Sequence, residues 1–312
     1  DSDLRFGYTD LELEGADGVA FGPSAQFLPF EIDTEELYET SELSGDIWID
    51  DDINQLFFRE TLVHEIGHAL GLSHSFESGF EIVGDIENVI LDGELDYLRY
   101  TIMAYDLVPD SVSDSSVQFY GTAESFMPLD IQALQYLYGE SSNTSDDVYA
   151  ISYFGDSPSI FGYNDFVEHN YDNAYLSIVD DGGYNALIFF IDEDLQINLA
   201  PDSWSTTAGG YLTAELDDEN LYLAPETVIS ELVTAGGDDV IALDSTGQLV
   251  KTRGGVDIVV DGGGDDVVQL GSDDDTFVYS AGYDYVVGGF GNDTVDLQDL
   301  RYSNYRFVEQ GS

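Results

Sequence analysis

The last third of the chain repeats a nine-residue unit, and this period constrains the fold more than any other feature of the sequence. Each unit carries an aspartate, except that Gln248 stands at the single broken position. The repeated aspartates are Asp239, Asp257, Asp266, Asp275, Asp284 and Asp293. An apolar residue follows two positions after each unit's aspartate or its Gln replacement, and a glycine usually stands two positions before it. This nonapeptide pattern is typical of a parallel β-roll that binds calcium, whereas a solvated acidic meander would keep no such period.

The repeat also predicts where calcium would bind. Aspartate carboxylates and turn carbonyls supply the oxygen ligands that Ca²⁺ prefers. If two units make one turn of the roll, residues 18 apart stack in a column. The first column is then complete: Asp239, Asp257, Asp275 and Asp293. The second column contains the break: Gln248, Asp266 and Asp284. We therefore hypothesise that the first column holds more calcium than the second.

A second feature is the stretch HEIGHALGLSH, which begins at His64 and contains three of the four histidines of the chain. On an α-helix, His64 and His68 lie four residues apart and share one face, with Glu65 on a neighbouring flank. Gly71 tolerates the positive φ at which a helix can end, so the chain can turn there and bring back His74. The spacing therefore predicts that three imidazoles converge on one point.

Three neutral imidazoles with an open fourth position describe a catalytic zinc site, since structural zinc sites usually fill all four positions and commonly use Cys. This chain contains no Cys. The alternative is a helix whose histidines only pack or face solvent, but five spaced identities would then have to coincide by chance. The fourth histidine, His169, lacks partner spacing, and we expect a core or surface role for it.

The chain carries 64 acidic and 7 basic residues, for a formal net charge of -57, yet 43% of its residues are hydrophobic and 13% aromatic. Disordered acidic tails lack that apolar content, so this is a folded acidic protein. Its field repels nucleic acids and anionic membranes and favours cations as partners. The sequence also contains no apolar run long enough for a membrane span.

Short apolar runs bounded by Gly, Asp and Pro predict strands, and helical periodicity predicts two helices. The strands are expected at 4–8, 18–21, 46–49, 187–191, 195–199 and 212–216. The helices are expected at Arg59–Leu70 and Leu129–Tyr138. Residues 34–43 fit either a short helix or a loop, and residues 75–99 form a long acidic loop of the kind that is usually functional.

The length of 312 residues allows two domains. We place the boundary in the polar run at 141–147. The domains are then residues 1–140 and residues 141–312, with the β-roll at about 234–298. The asparagine sequon at 143–145 is interpreted as a chance match.

The zinc stretch matches the metzincin motif HExxHxxGxxH, and the segment TIMAYD at 101–106 resembles the Met-turn of that clan. Together with the repeats, the chain resembles the serralysins, which are secreted bacterial metalloproteases with a C-terminal RTX β-roll. The resemblance implies an α+β architecture, in which a metzincin-like zinc-protease catalytic domain precedes an all-β domain ending in a parallel β-roll. It also implies one catalytic Zn²⁺, several structural Ca²⁺ and export by the type I route.

The resemblance assigns a role to each residue of the site. His64, His68 and His74 would bind zinc, and Glu65 would be the general base. Tyr105 matches the tyrosine that in serralysins can reach the metal or stabilise the oxyanion, and Met103 would form the apolar floor beneath the ion. This agrees with elementary chemistry, because a carboxylate beside a zinc-activated water can take its proton as the water attacks a peptide carbonyl.

The sequence departs from the serralysin pattern in three places. Ser75 stands where Pro is common, so the loop leaving His74 can differ. The resemblance implies a strand and a long helix before the segment LRFGY, where only Asp1–Asp3 are present, so either that piece was cleaved or the sheet is smaller. The C-terminal sequence RYSNYRFVEQGS lacks the apolar tail typical of the family's export signal.

The sequence therefore predicts a secreted, calcium-stabilised zinc endopeptidase that acts on protein or peptide substrates as a monomer. Two other functions stay open. One is a calcium-dependent adhesin or binding module whose metalloprotease-like half is inactive. The other is a zinc hydrolase of a substrate other than peptide.

Overall fold

The computed structural model of the protein describes residues 4–9, 17–20, 45–53, 57–76, 91, 93–106, 122–140, 143, 145–154, 157–161, 174–207 and 219–297. This part of the chain is mostly β, with two helices and extensive parallel pairing, as a β-roll requires. The segments predicted at 34–43 and 212–216, together with His169, lie outside the described residues.

The N-terminal half contains a small sheet and two helices. Its elements are β1 (Arg5–Thr9), β2 (Gly18–Ala20), β3 (Asp46–Asp50), α1 (Phe58–Ala69), β4 (Thr122–Ala123) and α2 (Pro128–Tyr138). The sheet has the order β1-β3-β2, with β1 parallel and β2 antiparallel to β3. Helix α1 packs Leu62, Ile66 and Ala69 against Ile47 and Ile49 of β3. These apolar side chains therefore hold α1 on the sheet.

Helix α1 starts and ends within one residue of the prediction, and α2 starts at Pro128, one residue before the predicted Leu129. Proline fits the first turn of a helix because its missing N–H would have no intrahelical partner there. Gly139 then ends α2 with a φ of 90°. Both boundaries of α2 thus follow from residues with a special backbone.

The C-terminal half is all β in the described residues. Its first strands are β5 (Val148–Phe154), β6 (Ser157–Phe161), β7 (Ala174–Ile178), β8 (Ala186–Phe189), β9 (Leu195–Asn198), β10 (Ser203–Thr207), β11 (Leu221–Leu223) and β12 (Glu231–Val233). The repeat region adds β13 (Val240–Ala242), β14 (Leu249–Lys251), β15 (Ile258–Val260), β16 (Val267–Ser272), β17 (Thr276–Val278), β18 (Tyr285–Phe290) and β19 (Thr294–Asp296). Odd-numbered repeat strands lie in one sheet and even-numbered ones in the other.

Strand pairing in the repeat region follows an 18-residue register. Ile241 pairs with Val259, and Val259 with Phe277, in one sheet, while Val250 pairs with Val268 in the other. These five apolar side chains are all buried and belong to a single core cluster between the two sheets. The register is the one that two nine-residue units per turn require. Strands β18 and β19 lie at the ends of their sheets, where the equivalent apolar residues are less buried.

The two sheets of the roll continue into the strands before the repeats. Leu232 of β12 pairs with Leu187 of β8, and Ile241 of β13 pairs with Ile197 of β9, again in parallel. The repeats are therefore stacked on non-repetitive strands that already bury Leu and Ile. At the far end of the nine-stranded sheet, β4 pairs in parallel with β7, which connects the N-terminal half to the β half. The domain limits given above stay a prediction.

No helix in the described part of the chain has the length and apolar content needed to cross a bilayer.

Two glycines of the roll turns provide a matched test of how closely the turns stack. Gly255 has a φ of 103°, and a Cβ on it would lie 2.0 Å from the carbonyl oxygen of Gly237. Gly263 has a φ of 95°, but a Cβ there would meet nothing within 4 Å. Alanine at either position strains the left-handed backbone. Only Gly255→Ala also forces apart two successive turns.

We therefore expect Gly255→Ala to lower the free energy of unfolding by about 1–3 kcal/mol more than Gly263→Ala does, a typical cost of overpacking. Urea unfolding at a fixed calcium concentration, followed by circular dichroism, measures the difference. Equal destabilisation by the two variants would mean that the turns do not stack as closely as the structure shows.

Candidate metal centre

The three motif histidines converge on one point. His64 Nε2 lies 3.3 Å from His74 Nε2, and His68 Nε2 lies 3.1 Å from the same atom. Nitrogens that bind one tetrahedral zinc at 2.0–2.1 Å are separated by about 3.3 Å. The three imidazoles are therefore arranged as such an ion requires.

Hydrogen bonds on the other side of the rings determine which nitrogens point inward as acceptors. His64 Nδ1 donates to the carbonyl of Ile102 at 2.7 Å, and His68 Nδ1 donates to the carbonyl of Leu72 at 2.9 Å. A neutral imidazole that donates through Nδ1 presents a lone pair at Nε2. Burial, followed by the neighbouring histidines, lowers the pKa of His64 to about 4, which keeps this ring neutral. Adjacent lone pairs repel unless a cation lies between them, so the donor set fits Zn²⁺.

The chain turns between α1 and His74 as the glycine at position 71 predicts. Gly71 has a φ of 100°, and its N–H donates to the carbonyl of His68 at 2.9 Å. Leu72 N–H then donates to the carbonyl of Gly67 at 2.9 Å. This tight exit reverses the chain within three residues and brings His74 back beside His68.

Tyr105 lies beside the histidine cluster. Its hydroxyl is 2.7 Å from His74 Nε2, and its ring centroid is 4.8 Å from that of His74. The side chain is 66% exposed, so the hydroxyl borders both the metal-binding nitrogens and solvent. Phe76 stacks on His74, with ring centroids 5.1 Å apart, and its ring centroid is 5.0 Å from that of Tyr105. Tyr105 is therefore positioned to contact a ligand bound at the cluster.

Glu65 lies next to His64 on α1 and is buried. Burial raises the pKa of its carboxyl to about 8. It packs against β2, where a Cβ on Gly18 would come within 2.8 Å of Glu65 Cγ. Glycine at position 18 thus leaves the space that the Glu65 side chain occupies.

Met103 belongs to an apolar cluster that lies against α1. It is 2% exposed and packs in a cluster with Leu98, Ile102 and Met127. A Cβ on Gly67, in the middle of α1, would come within 2.7 Å of Met103 Sδ. Glycine at position 67 therefore lets α1 approach Met103 closely.

The repeat aspartates form a second set of candidate cation ligands. In each column, one carboxylate oxygen accepts the backbone N–H of the residue one turn earlier: Asp257 Oδ1 from Asp239 and Asp275 Oδ1 from Asp257, both at 2.9 Å. In the second column, Asp266 Oδ1 accepts from Gln248 N–H at 2.7 Å. These bonds occupy Oδ1 and link successive turns.

The second oxygen of these carboxylates, Oδ2, does not accept such a bond. Among the described residues, five repeat aspartates have a buried Oδ2 without a hydrogen-bond partner: Asp239, Asp257, Asp266, Asp275 and Asp284. Burial raises the pKa of Asp239 to about 6 and those of Asp257 and Asp266 to about 7. A buried, unpaired carboxylate oxygen is costly, and a divalent cation with oxygen preference would satisfy it. The donor set of the roll therefore fits Ca²⁺.

Sequence reasoning missed one carboxylate in the roll. Asp261 joins Asp266 and Asp284 in a group whose ligand atoms all lie within 4.8 Å of one another. It lies outside the nine-residue aspartate series, although its position directly before three glycines was a usable signal. The hypothesis that the first column holds more calcium stays a prediction, and this three-carboxylate group lies in the second column.

No family model matches the chain. Searches of curated proteins find relatives that are named serralysin or metallopeptidase. Serralysin of Proteus mirabilis is 26% identical over 74% of this chain and 46% of its own length. Serralysin of Photorhabdus luminescens is 27% identical over 77% of this chain and 46% of its own length. Metallopeptidase AprA of Pseudomonas marginalis is 32% identical over 51% of this chain and 32% of its own length.

The chain thus spans about half the length, or less, of the curated relatives it matches. The similarity supports a serralysin-like family for the chain, in agreement with the resemblance seen in its zinc motif and repeats.

Proposed function

We propose that this chain is a secreted zinc endopeptidase that hydrolyses peptide bonds and is stabilised by calcium in its β-roll. The observation that carries the proposal is the convergence of three imidazole Nε2 atoms, with the Nδ1 atoms of His64 and His68 fixed by backbone carbonyls. The similarity to serralysins and to a metallopeptidase supports it.

His64, His68 and His74 would hold the zinc ion and leave its fourth position to water or substrate. When bound, zinc polarises a substrate carbonyl and lowers the pKa of a bound water to about 7. Glu65 is the general base in this proposal. Burial raises the pKa of its carboxyl to about 8 in the metal-free chain, and a zinc ion bound by the neighbouring histidines would lower it, so that the carboxylate can accept a proton near neutral pH.

Tyr105 is the second catalytic group in this proposal. Its phenol hydroxyl lies within 2.7 Å of His74 Nε2 and can donate a hydrogen bond to the oxyanion that develops on the attacked carbonyl. Met103 and its apolar neighbours exclude water from beneath the histidines. In this proposal Glu65 is the base, Tyr105 the oxyanion donor and Met103 part of the apolar floor.

The substrate and setting follow from charge and similarity. A net charge of -57 attracts cationic polypeptides and repels nucleic acids. An extracellular, calcium-rich medium would supply ions for the unpaired carboxylate oxygens of the roll. We expect a monomer that is exported by its bacterial producer, as the resemblance to serralysins implies.

Glu65→Ala should retain one zinc ion per chain and lose casein hydrolysis by about 10²–10⁴-fold, the usual contribution of general-base assistance. Zinc content by atomic absorption and clearance of casein measure the two effects. Glu60→Gln is the matched control, because Glu60 lies five residues earlier on α1. Burial raises the pKa of Glu60 to about 7, so glutamine imitates its protonated form. Wild-type levels of proteolysis in Glu65→Ala would contradict the role of Glu65.

The wild-type protein also separates the alternatives. Bound zinc without proteolysis of any tested polypeptide would favour a hydrolase of another substrate or a binding module.

Tyr105→Phe should lower kcat by about 10²–10³-fold with KM little changed, as expected for loss of a donor to the oxyanion. Steady-state kinetics on a fluorogenic peptide give both constants. Tyr136→Phe is a suitable control, because Tyr136 is 79% exposed on α2. Full activity of Tyr105→Phe would remove Tyr105 from the catalytic machinery.

When a chelator removes calcium, the roll should be more stable at pH 5 than at pH 8. Burial raises the pKa values of Asp257 and Asp266 to about 7, so the folded state favours their protonated forms. The stability that these groups contribute is fully present below their ordinary pKa of about 4 and is lost as the pH rises through about 7. Calcium at pH 8 should restore it, since the cation replaces the protons.

Thermal unfolding followed by circular dichroism, at both pH values with chelator or with calcium, tests this prediction. Asp257→Asn should have a smaller pH dependence, because an amide does not titrate. A melting temperature that is independent of both pH and calcium would exclude calcium binding by the roll.

A further inference from the structure

A chain of hydrogen bonds runs from the first zinc-site histidine to a buried aspartate on α2. His64 Nδ1 donates to the carbonyl of Ile102 at 2.7 Å. The other end of that peptide group, the N–H of Met103, donates to Thr101 Oγ1 at 3.1 Å. The Thr101 hydroxyl in turn donates to Asp130 Oδ1 at 2.6 Å. Residues 101 to 103 and Asp130 are all no more than 3% exposed, so water does not compete for these bonds.

The donors and acceptors between His64 and Asp130 give this series of hydrogen bonds a single direction. Thr101 has one hydroxyl proton, and its oxygen already accepts the Met103 N–H. Its proton therefore goes to Asp130, whose ionised carboxylate can only accept hydrogen bonds. Every donor in the series points away from His64 and toward the negative charge.

Such an arrangement polarises the peptide group in the middle. Hydrogen bonds in series strengthen one another, and a charge at the end strengthens them further in a buried setting. The carbonyl of Ile102 becomes a better acceptor, so it holds the Nδ1 proton of His64 more strongly. Electron density at His64 Nε2 rises as a result. Direct carboxylate partners act on metal-binding histidines in the same way.

The two oxygens of Asp130 have separate tasks. Oδ2 accepts the N–H of Ile102 at 2.7 Å and the N–H of Met127, the residue before α2, at 2.9 Å. These two bonds fix the backbone of the TIMAYD segment to the start of α2. Within the described residues, Oδ1 accepts only from the Thr101 hydroxyl. Structural and electronic contributions can therefore be separated by substitution.

We propose that Asp130 is a positioning residue for the zinc site, acting on His64 through Thr101 and the Ile102–Met103 peptide group. It acts as the remote carboxylate partner of this histidine, with a hydroxyl and one peptide group in place of a direct contact. The proposal rests on the proposed function, since it takes His64 as a zinc ligand. It adds two residues, Thr101 and Asp130, that the zinc motif HExxHxxGxxH does not contain.

Thr101→Val and Thr101→Ser form the matched pair that tests this series of hydrogen bonds. Valine has the shape of threonine but can neither accept from Met103 nor donate to Asp130, whereas serine can do both. We expect Thr101→Val to raise the zinc dissociation constant about tenfold, within the range typical of lost outer-shell partners. Thr101→Ser should stay within about twofold of wild type, since it keeps both hydrogen bonds. Competition with a chromophoric zinc chelator gives the constants.

Asp130→Asn provides the second test. Its amide oxygen can keep the two backbone N–H bonds, while the charge at the end of the chain is removed. We expect weaker zinc binding of similar size to that of Thr101→Val, and no further loss in the double variant, because both substitutions interrupt one series of bonds. The absorption spectrum of the Co²⁺-loaded protein should change in both single variants and not in Thr101→Ser.

Melting temperatures of the metal-free variants separate this role from a structural one. If Thr101→Val and Asp130→Asn lower the melting temperature but leave the zinc constant and the Co²⁺ spectrum unchanged, the proposal is wrong and the chain only supports the fold. If the wild-type protein itself binds no zinc, the proposed function fails, whatever the variants do.

Discussion

Aspartate carboxylates that accept backbone N–H groups hold both halves of this molecule together. In the N-terminal half, Asp130 accepts the N–H groups of Ile102 and Met127 and so fixes the TIMAYD segment to α2. In the roll, an aspartate accepts the N–H of the residue 18 positions earlier, as Asp257 does for Asp239. A carboxylate bound in this way gains charge-assisted hydrogen bonds but loses hydration, and the balance depends on how many of its lone pairs find a partner.

The number of hydrogen bonds that an aspartate carboxylate receives differs between the two halves. Asp130 receives three hydrogen bonds, divided between its two oxygens, and these bonds partly offset the burial that raises the pKa of its carboxyl to about 6. The repeat aspartates accept a backbone N–H on Oδ1 and leave Oδ2 buried without a hydrogen bond, as in Asp257 and Asp275. Stacking such carboxylates in columns, in a chain of net charge -57, adds mutual repulsion to lost hydration. A roll built in this way depends on cations or protons, because the protein itself supplies few positive charges.

The sequence predicted the parts of the structure that depend on local periodicity. Helical periodicity placed α1 within one residue, and the nine-residue period predicted the 18-residue pairing of Val259 with Ile241. Contacts between distant segments left no such pattern. The pairing of β4 with β7 joins residues about fifty positions apart and has no sequence signature. Asp261 was not predicted because it lies outside the regular nine-residue aspartate series.

The zinc site also depends on contacts between distant segments, which leave no sequence pattern. Some of these contacts come from the β half. The motif identifies the histidines, but the segment that carries their partner carbonyl is positioned by residues far along the chain. Arg99, two residues before Thr101, is buried with its guanidinium 4.5 Å from the ring centroid of Trp204 on β10, and it forms an ion pair with Glu219. Strands of the β half therefore hold the segment whose carbonyl orients His64. Through these contacts the β half supports the segment that orients a histidine of the candidate metal centre.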